Sequence, residues 1–410
     1  MIKTLRSVLR FRSVELDPVE RRLRTAASVA DLRAITRRRL PRGCFDFIDG
    51  AAEDELSLRR NIAAFQRAEF RPRVLRDVAN VDPSTSLLGR DLPLPLVIAP
   101  IGFTRVASPG GELDIARAAA RHGLPFTLST LATRSIEEVA ACSNGPKWLQ
   151  VYVWRDRGLV KDMLARADQA GYEAIVITVD TAVLGRRERD TRNGFTMPPQ
   201  LSLGTLLDGA LHPGWTWDFL RADPITFANV AGSAAPDVKQ AVQLADYINT
   251  QFDPALSWQD LNWFRAAWNK PIVLKGIQTV EDALLAADAG VDAIALSNHG
   301  GRQLDGAPAI LELVRPVADA VGDRTQIICD GGIRRGSDIV KAVALGARAC
   351  MSGRAMLYGL GAGGERGVEH VISMLDAGVR RTMALTGQRR VTELDPELIH
   401  WRDATREPIV

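Results

Sequence analysis

Among all stretches of this chain, Ser297-Asn298-His299-Gly300-Gly301-Arg302-Gln303-Leu304-Asp305 is the one best equipped for chemistry. It follows an apolar run, 291–296, interrupted only by Asp292, which reads as a buried parallel strand. A histidine at the end of such a strand, between a hydroxyl residue and two glycines, sits where a packed core stops and a site can begin. Arg302 adds a rigid guanidinium fork suited to gripping a carboxylate at two points. An imidazole able to take a proton near neutral pH, beside an anion-binding arginine, points to acid–base work on a small carboxylic acid. The bland alternative is a histidine satisfied within a glycine-rich turn, and the rest of the chain decides between them.

Polar residues recur at the ends of the other apolar runs. They include Pro100-Ile101-Gly102, Ser129, Gln150 with Tyr152, Thr178 with Asp180, Lys275, Ser297 with His299, Asp330, and Gly353-Arg354. A purely structural sheet does not place lysine, histidine, aspartates and arginines there, because burying each unpaired charge costs several kcal/mol. Two glycine-rich ends, Asp330-Gly331-Gly332-Ile333-Arg334 and Ser352-Gly353-Arg354, suit a phosphate, because backbone N–H groups and helix dipoles converge at such turns. A competing G-x-G-x-x-G pattern, Gly359 to Gly364, lacks the βαβ unit and the acidic strand end of a dinucleotide site. It is read as a flexible loop.

These ends need a scaffold that gathers them. Short apolar runs at 96–99, 126–129, 148–152, 174–180, 272–275, 293–297, 326–330 and 348–352 alternate with amphipathic segments, ending in a helix over 367–386. Eight strand–helix units in series predict an α/β fold, a (β/α)8 TIM barrel, whose catalytic groups collect at the C-terminal strand ends. Ala289-Gly290 and Leu345-Gly346 read as helix C-caps. Ser28, with Asp31 three residues on, starts an N-terminal helical cap. The expected organisation is an arm at 1–27, a barrel domain at 28–390 and a tail at 391–410. The arginine-rich arm is expected to be loosely held. Residues 181–256 form a long insertion after the fourth strand, containing Pro198-Pro199, Trp215, Trp217 and Gly232 to Pro236. Such a length suits a lid or a surface-binding segment, and its 201–211 apolar run with the tryptophans suits either a membrane interface or packing on the barrel.

The length of 410 residues allows a large core, and a formal charge of only +3 argues against nucleic acid as the main partner. Cys44, Cys142, Cys329 and Cys350 fit no metal spacing, and the last two lie in apolar runs as core residues of a reducing compartment. Neither a signal-peptide pattern nor a run long enough to span a bilayer is evident. The expected location is cytoplasmic, peripheral on the inner face of the cell membrane.

With these residues assembled, residues 40–386 resemble the FMN-dependent L-2-hydroxy acid dehydrogenases and oxidases, a family that includes glycolate oxidase, mandelate dehydrogenase and bacterial L-lactate dehydrogenase. The matches are the nonapeptide around His299, Gln150-Val151-Tyr152, Thr178-Val179-Asp180, Gly185-Arg186-Arg187, Lys275-Gly276 and Asp330-Gly331-Gly332-Ile333-Arg334. The segment from His212 to Trp263, with Asn249 to Pro254, is most similar to the quinone-linked, membrane-associated L-lactate dehydrogenases.

The resemblance implies FMN as cofactor and His299 as the base that takes a proton from carbon or hydroxyl of the substrate. Asp180 would stabilise the resulting imidazolium, Arg187 and Arg302 would hold the carboxylate, and Tyr152 would hydrogen-bond the reacting oxygen. Lys275 would face the flavin edge where negative charge develops. Pro100, Ile101, Gly102, Ser129, Gln150, Thr178 and Ser297 would line the ring, Asp330 the ribityl chain, and Gly331, Gly332, Arg334, Gly353 and Arg354 the phosphate end. It also implies a quinone, a cytochrome or oxygen as electron acceptor, and a homotetramer. There are two departures. Phe47 stands where many members carry a carboxylate-binding tyrosine, and position 102 is glycine where several carry alanine. The readings carried forward are L-lactate oxidation, a peroxide-producing oxidase, a mandelate-type dehydrogenase and, from another class, a non-catalytic barrel scaffold.

Overall fold

The computed structural model describes residues 14–195, 202–230 and 250–402. Eight parallel strands close into a barrel: β1 (Leu96–Ile101), β2 (Phe126–Leu128), β3 (Lys147–Tyr152), β4 (Ala174–Thr178), β5 (Ile272–Ile277), β6 (Ala293–Ser297), β7 (Gln326–Asp330) and β8 (Ala349–Ser352). Each is followed by its helix: α1 (Glu112–Arg121), α2 (Ile136–Cys142), α3 (Arg157–Gln169), α4 (Asp260–Ala267), α5 (Val280–Asp288), α6 (Ile310–Val321), α7 (Gly336–Ala344) and α8 (Arg354–Thr386).

The period-two alternation of strands explains both the core and the site. One parity packs outward against the helices, as Leu96, Ile98, Leu149 and Ile177 do. The other points inward: Val97, Ala99, Trp148, Val176, Val273, Ala295 and Ile328 form a separate cluster, with Leu87 and Leu92 joining it. Followed upward, this inward stripe turns polar at its last position: Trp148 leads to Gln150 and Tyr152, Val176 to Thr178, Val273 to Lys275, Ala295 to Ser297 and Ile328 to Asp330. The register sets these ends level, with Tyr152 opposite Thr178, Thr178 opposite Lys275, and Ser297 opposite Asp330.

Local signals act as their chemistry requires. Ser28 accepts from the Asp31 N–H, while Asp31 Oδ2 accepts from the Ala27 N–H at 3.0 Å. Ser135 and Glu138 close a capping box at α2. Gly290 and Gly346, ending α5 and α7, have φ of +69° and +116°.

Three expectations are corrected. The Gly359–Gly364 pattern is not a flexible loop: it belongs to α8, which bends only at Gly363 and Gly364. Its glycines permit close packing, since a Cβ on Gly361 would lie 2.5 Å from Thr36 Cγ2 and one on Gly359 2.5 Å from the Gly367 carbonyl. The described part of the 1–27 arm is not loose. A helix over Pro18–Leu23 buries Leu23, Arg22 Nε donates to the Ala362 carbonyl at 3.2 Å, and Asp17 pairs with Arg366 at 2.7 Å. Residues 1–13 lie outside the described residues. Nor is the 391–410 segment merely a tail: Ile399–Trp401 pairs antiparallel with Ala68–Phe70, although residues 403–410 lie outside the described residues.

Within the insertion, helices span Glu188–Arg192, Leu203–Leu211 and Pro213–Arg221. Pro198-Pro199, Gly232 to Pro236 and Asn249 fall outside the described residues. The two tryptophans part company. Trp215 packs down and donates from Nε1 to the Val106 carbonyl at 2.9 Å, whereas Trp217 is exposed.

Candidate active site

A cavity opens at the C-terminal mouth of the barrel. Its wall contains Phe47, Pro100, Ile101, Gly102, Ser129, Gln150, Tyr152, Thr178, Arg187, Lys275, His299, Arg302, Asp330, Gly331, Gly332, Arg334, Gly353 and Arg354. Of the residues singled out from sequence, Asp180 and Ser297 stand outside this wall, and each stands one layer behind a residue that is in it.

His299 follows β6 with φ of +57°, a backbone state that side chains rarely adopt and that the surroundings must hold. Its Nδ1 lies 3.0 Å from Asp180 Oδ1. Asp180 is buried, and its Oδ2 has no hydrogen-bond partner among the described residues. Burial pushes the Asp180 carboxyl up, but His299 and Lys275 more than offset this and hold it below its ordinary value. The imidazole is therefore backed by a carboxylate, and its other nitrogen, Nε2, is left for substrate.

Like Ser129, Gln150 and Thr178 at neighbouring strand ends, Ser297 is buried at the end of β6. Its hydroxyl joins three groups. It accepts from Lys275 Nζ at 3.0 Å and from the His299 N–H at 3.0 Å, and it donates to Asp330 Oδ2 at 2.8 Å. Lys275 also pairs with Asp330 at 2.9 Å. Burial lowers the Lys275 pKa, yet Asp330 and Asp180 raise it beyond that loss, so the ammonium stays charged.

On the opposite wall, Gln150 takes Ser129 Oγ at 3.1 Å and gives its amide to Thr178 Oγ1 at 3.0 Å, forming a polar strip across three strands. Tyr152 is buried with its ring against Phe252, and burial pushes its hydroxyl up to about 12, so it acts as a neutral donor. Arg302 donates to the Phe47 and Gly50 carbonyls at 2.7 and 3.1 Å. Burial, with Arg187 and Arg354 nearby, drives its pKa well down, with Asp190 opposing the fall.

Arg354 spends its side chain on carbonyls, those of Ile48, Gly50 and Gly300 at 3.1, 2.6 and 2.7 Å. Arg354 nonetheless remains part of the cavity wall. Arg334 lies in the wall beside Gly331 and Gly332, whose φ values are +154° and +84°.

Sequence reading missed an apolar wall. Phe103, Phe227 and Phe252 border the cavity, and Phe195 packs 5.0 Å from Phe47 and 6.2 Å from Phe103. Only Phe103, directly after the first strand end, carried a positional signal; the others come from a segment without periodicity.

The residues fit FMN on structural grounds. A polar strip from Ser129 to Thr178 runs on to the buried Lys275 on the next strand, and glycine turns lead to the N-termini of α7 and α8. Ser352 Oγ, in the same wall, is buried without a partner among the described residues.

Comparison with known proteins agrees. The profile of the FMN-dependent dehydrogenases matches residues 36–401. The chain is 44% identical over 377 residues to an L-lactate dehydrogenase of Caulobacter vibrioides, covering 91% of this chain and 97% of that one. It is 42% identical to an L-lactate oxidase of a Nostoc species, covering 87% of this chain and 93% of that one. The crystal structure of the monotopic membrane protein (S)-mandelate dehydrogenase superposes with a TM-score of 0.89 at 39% identity, covering 92% of this chain and all of that one. The chain belongs to the FMN-dependent dehydrogenase family, and its cofactor is FMN.

Proposed function

We propose that the protein oxidises L-lactate to its 2-oxo acid and passes the electrons to a quinone or cytochrome. The observation that carries this reading is the convergence on one cavity of His299, backed by Asp180, with Arg187 and Arg302. Arg187 and Arg302 bind the carboxylate and fix the α-carbon, replacing solvation with a defined pose. Tyr152 donates to the reacting oxygen. His299 Nε2 receives the proton, and Asp180 stabilises the imidazolium that results. FMN, when bound, takes up the two electrons. Gly331, Gly332 and Arg334, with the backbone at Gly353 and Arg354, would hold its phosphate; Pro100 to Gly102, Ser129, Gln150 and Thr178 its ring; Asp330 its ribityl chain; and Lys275 its electron-rich edge.

A second reading, oxidation of an aryl 2-hydroxy acid of the mandelate type, is favoured by one observation. Phe47, Phe103, Phe195 and Phe227 form a continuous aromatic wall with ring separations of 5.0 to 6.2 Å. The ratio of kcat/KM for L-lactate to that for L-mandelate, measured with a quinone and then with oxygen, decides both substrate and acceptor. A ratio well below one moves the assignment to the aryl acid, and peroxide formed at the quinone rate moves it to an oxidase.

We further propose peripheral attachment to a membrane. Leu203, Leu207 and Leu211 repeat along one exposed helix face, and Leu220 and Trp217 extend it on the next helix, with the Arg221 guanidinium 4.3 Å over the Trp217 ring. Among the described residues no helix is long and apolar enough to cross a bilayer. Co-sedimentation with anionic vesicles, lost in Leu207→Glu, tests this; sedimentation velocity tests the homotetramer that the resemblance implies.

A further inference from the structure

Asn61 lies on the helix Leu56–Arg67, outside the barrel wall, and is 1% exposed. Its amide and that of Asn298 form a closed pair. Asn61 Nδ2 donates to Asn298 Oδ1 at 2.7 Å, and Asn298 Nδ2 donates to Asn61 Oδ1 at 3.0 Å. Each oxygen also takes a backbone N–H: Asn298 Oδ1 that of Gly301 and Asn61 Oδ1 that of Ile310, both at 3.1 Å. Asn298 Nδ2 reaches the Pro308 carbonyl as well, at 3.0 Å. The pair thus clamps both ends of the connection from β6 to α6, the segment that carries His299 in its left-handed backbone state.

The same residue meets the turn after β7. A Cβ on Gly332 would lie 2.5 Å from the Asn61 carbonyl oxygen, and one on Gly331 would lie 3.1 Å from Asn61 Nδ2. Asn61 therefore touches two loops that have no shared strand, one holding the base and one shaped for the cofactor phosphate. Arg302 is anchored separately, by the carbonyls of Phe47 and Gly50.

We propose that Asn61 is a positioning residue that couples the seating of FMN in the β7 turn to the aim of His299. This rests on the functional reading above. Only an amide supplies both the donor toward Asn298 Oδ1 and the acceptor toward Asn298 Nδ2 and Ile310 N–H; an ionised aspartate keeps only the acceptor.

The test uses holoenzyme of wild type, Asn61→Ala and the isosteric Asn61→Asp. It reads the anaerobic flavin-reduction rate per bound flavin at saturating L-lactate, the L-lactate dissociation constant, and FMN release on dilution followed by flavin fluorescence. Misaiming a reacting group by about 1 Å costs on the order of a hundredfold in rate, so Asn61→Ala is expected to reduce its flavin roughly ten- to a hundredfold more slowly. L-Lactate affinity should hold, because Arg302 keeps its anchors, and FMN release should quicken. Asn61→Asp should fall between, and it carries the comparison if the alanine variant fails to fold. Wild-type rates of both reduction and release in a folded variant overturn the proposal, as does an equal fall in rate and L-lactate affinity, the mark of general loosening. Wild-type flavin left oxidised by L-lactate would instead indict the functional reading, and FMN release would still decide the coupling.

Discussion

Asp180→Asn changes one atom type in a place where the consequences separate cleanly. The carboxylate is buried, Oδ1 lies 3.0 Å from His299 Nδ1, and Oδ2 has no partner among the described residues. An asparagine that keeps its carbonyl toward His299 must put its NH2 where Oδ2 was. That leaves a buried donor unmatched, at a cost of about 1–3 kcal/mol to the fold. The cost is the same before and after proton transfer, so it appears in thermal stability and not in rate. The rate senses something else: once His299 holds the substrate proton, an imidazolium–carboxylate pair becomes an imidazolium–amide hydrogen bond, a loss of about 1.5–3 kcal/mol. At 1.4 kcal/mol per decade this is roughly a ten- to 150-fold slower flavin reduction. Rapid anaerobic mixing of holoenzyme with saturating L-lactate reads that step directly, and its concentration dependence reads substrate affinity, which Arg187 and Arg302 should maintain. A variant of lower melting temperature with a wild-type reduction rate would refute the role assigned to Asp180. So would one that loses substrate affinity while its rate holds.

Other outcomes follow from the same geometry. Phe47→Tyr adds a hydroxyl at the cavity wall beside Arg302, whose guanidinium lies 5.1 Å over the Phe47 ring, and should tighten L-lactate binding by about 1–3 kcal/mol. Unchanged or weaker binding in the same titration counts against the carboxylate pose. Asp49 is a buried hub accepting from Arg33, Arg189 and the Tyr358 hydroxyl. Burial pushes its carboxyl up, but Arg33, Tyr358 and Arg189 pull it from 3.8 down to about 2. A carboxyl depressed on folding stabilises fully above its unfolded pKa of 3.8 and loses that contribution as pH falls through about 2. Asp49→Asn should therefore cost about 2 kcal/mol at neutral pH, and urea midpoints of the two proteins should converge below pH 3.8. A gap that stays constant into acid would mean that the charge is not what matters there.

How much was legible before the fold was known depends on whether a residue's role is written along the chain or across it. The strand ends were readable because alternation within one strand decides both its apolar core and the polar residue that tops it, as in Val273 then Lys275. The segment around His299 carried its meaning in a few adjacent residues. Gly359 and Gly361 were misread because a glycine needed for flexibility and one needed for a close helix crossing look alike until Thr36 and Gly367 are placed against them. Arg354 shows a related limit: its charge was legible, while the carbonyls it donates to, those of Ile48, Gly50 and Gly300, are all distant in sequence. Phe195, Phe227 and the Asn61–Asn298 pair had no local signal at all, because each acts through a partner distant in sequence.

The central claim, that His299 receives the substrate proton in a cavity seating FMN, is tested most directly by anaerobic reduction of the flavin by L-lactate in wild type and His299→Gln. Wild-type flavin should bleach with the L isomer and not the D isomer. The variant should retain FMN and bind L-lactate, yet reduce its flavin roughly 100- to 10,000-fold more slowly, as expected for loss of a general base. A His299→Gln protein that carries FMN and bleaches at the wild-type rate would contradict the account.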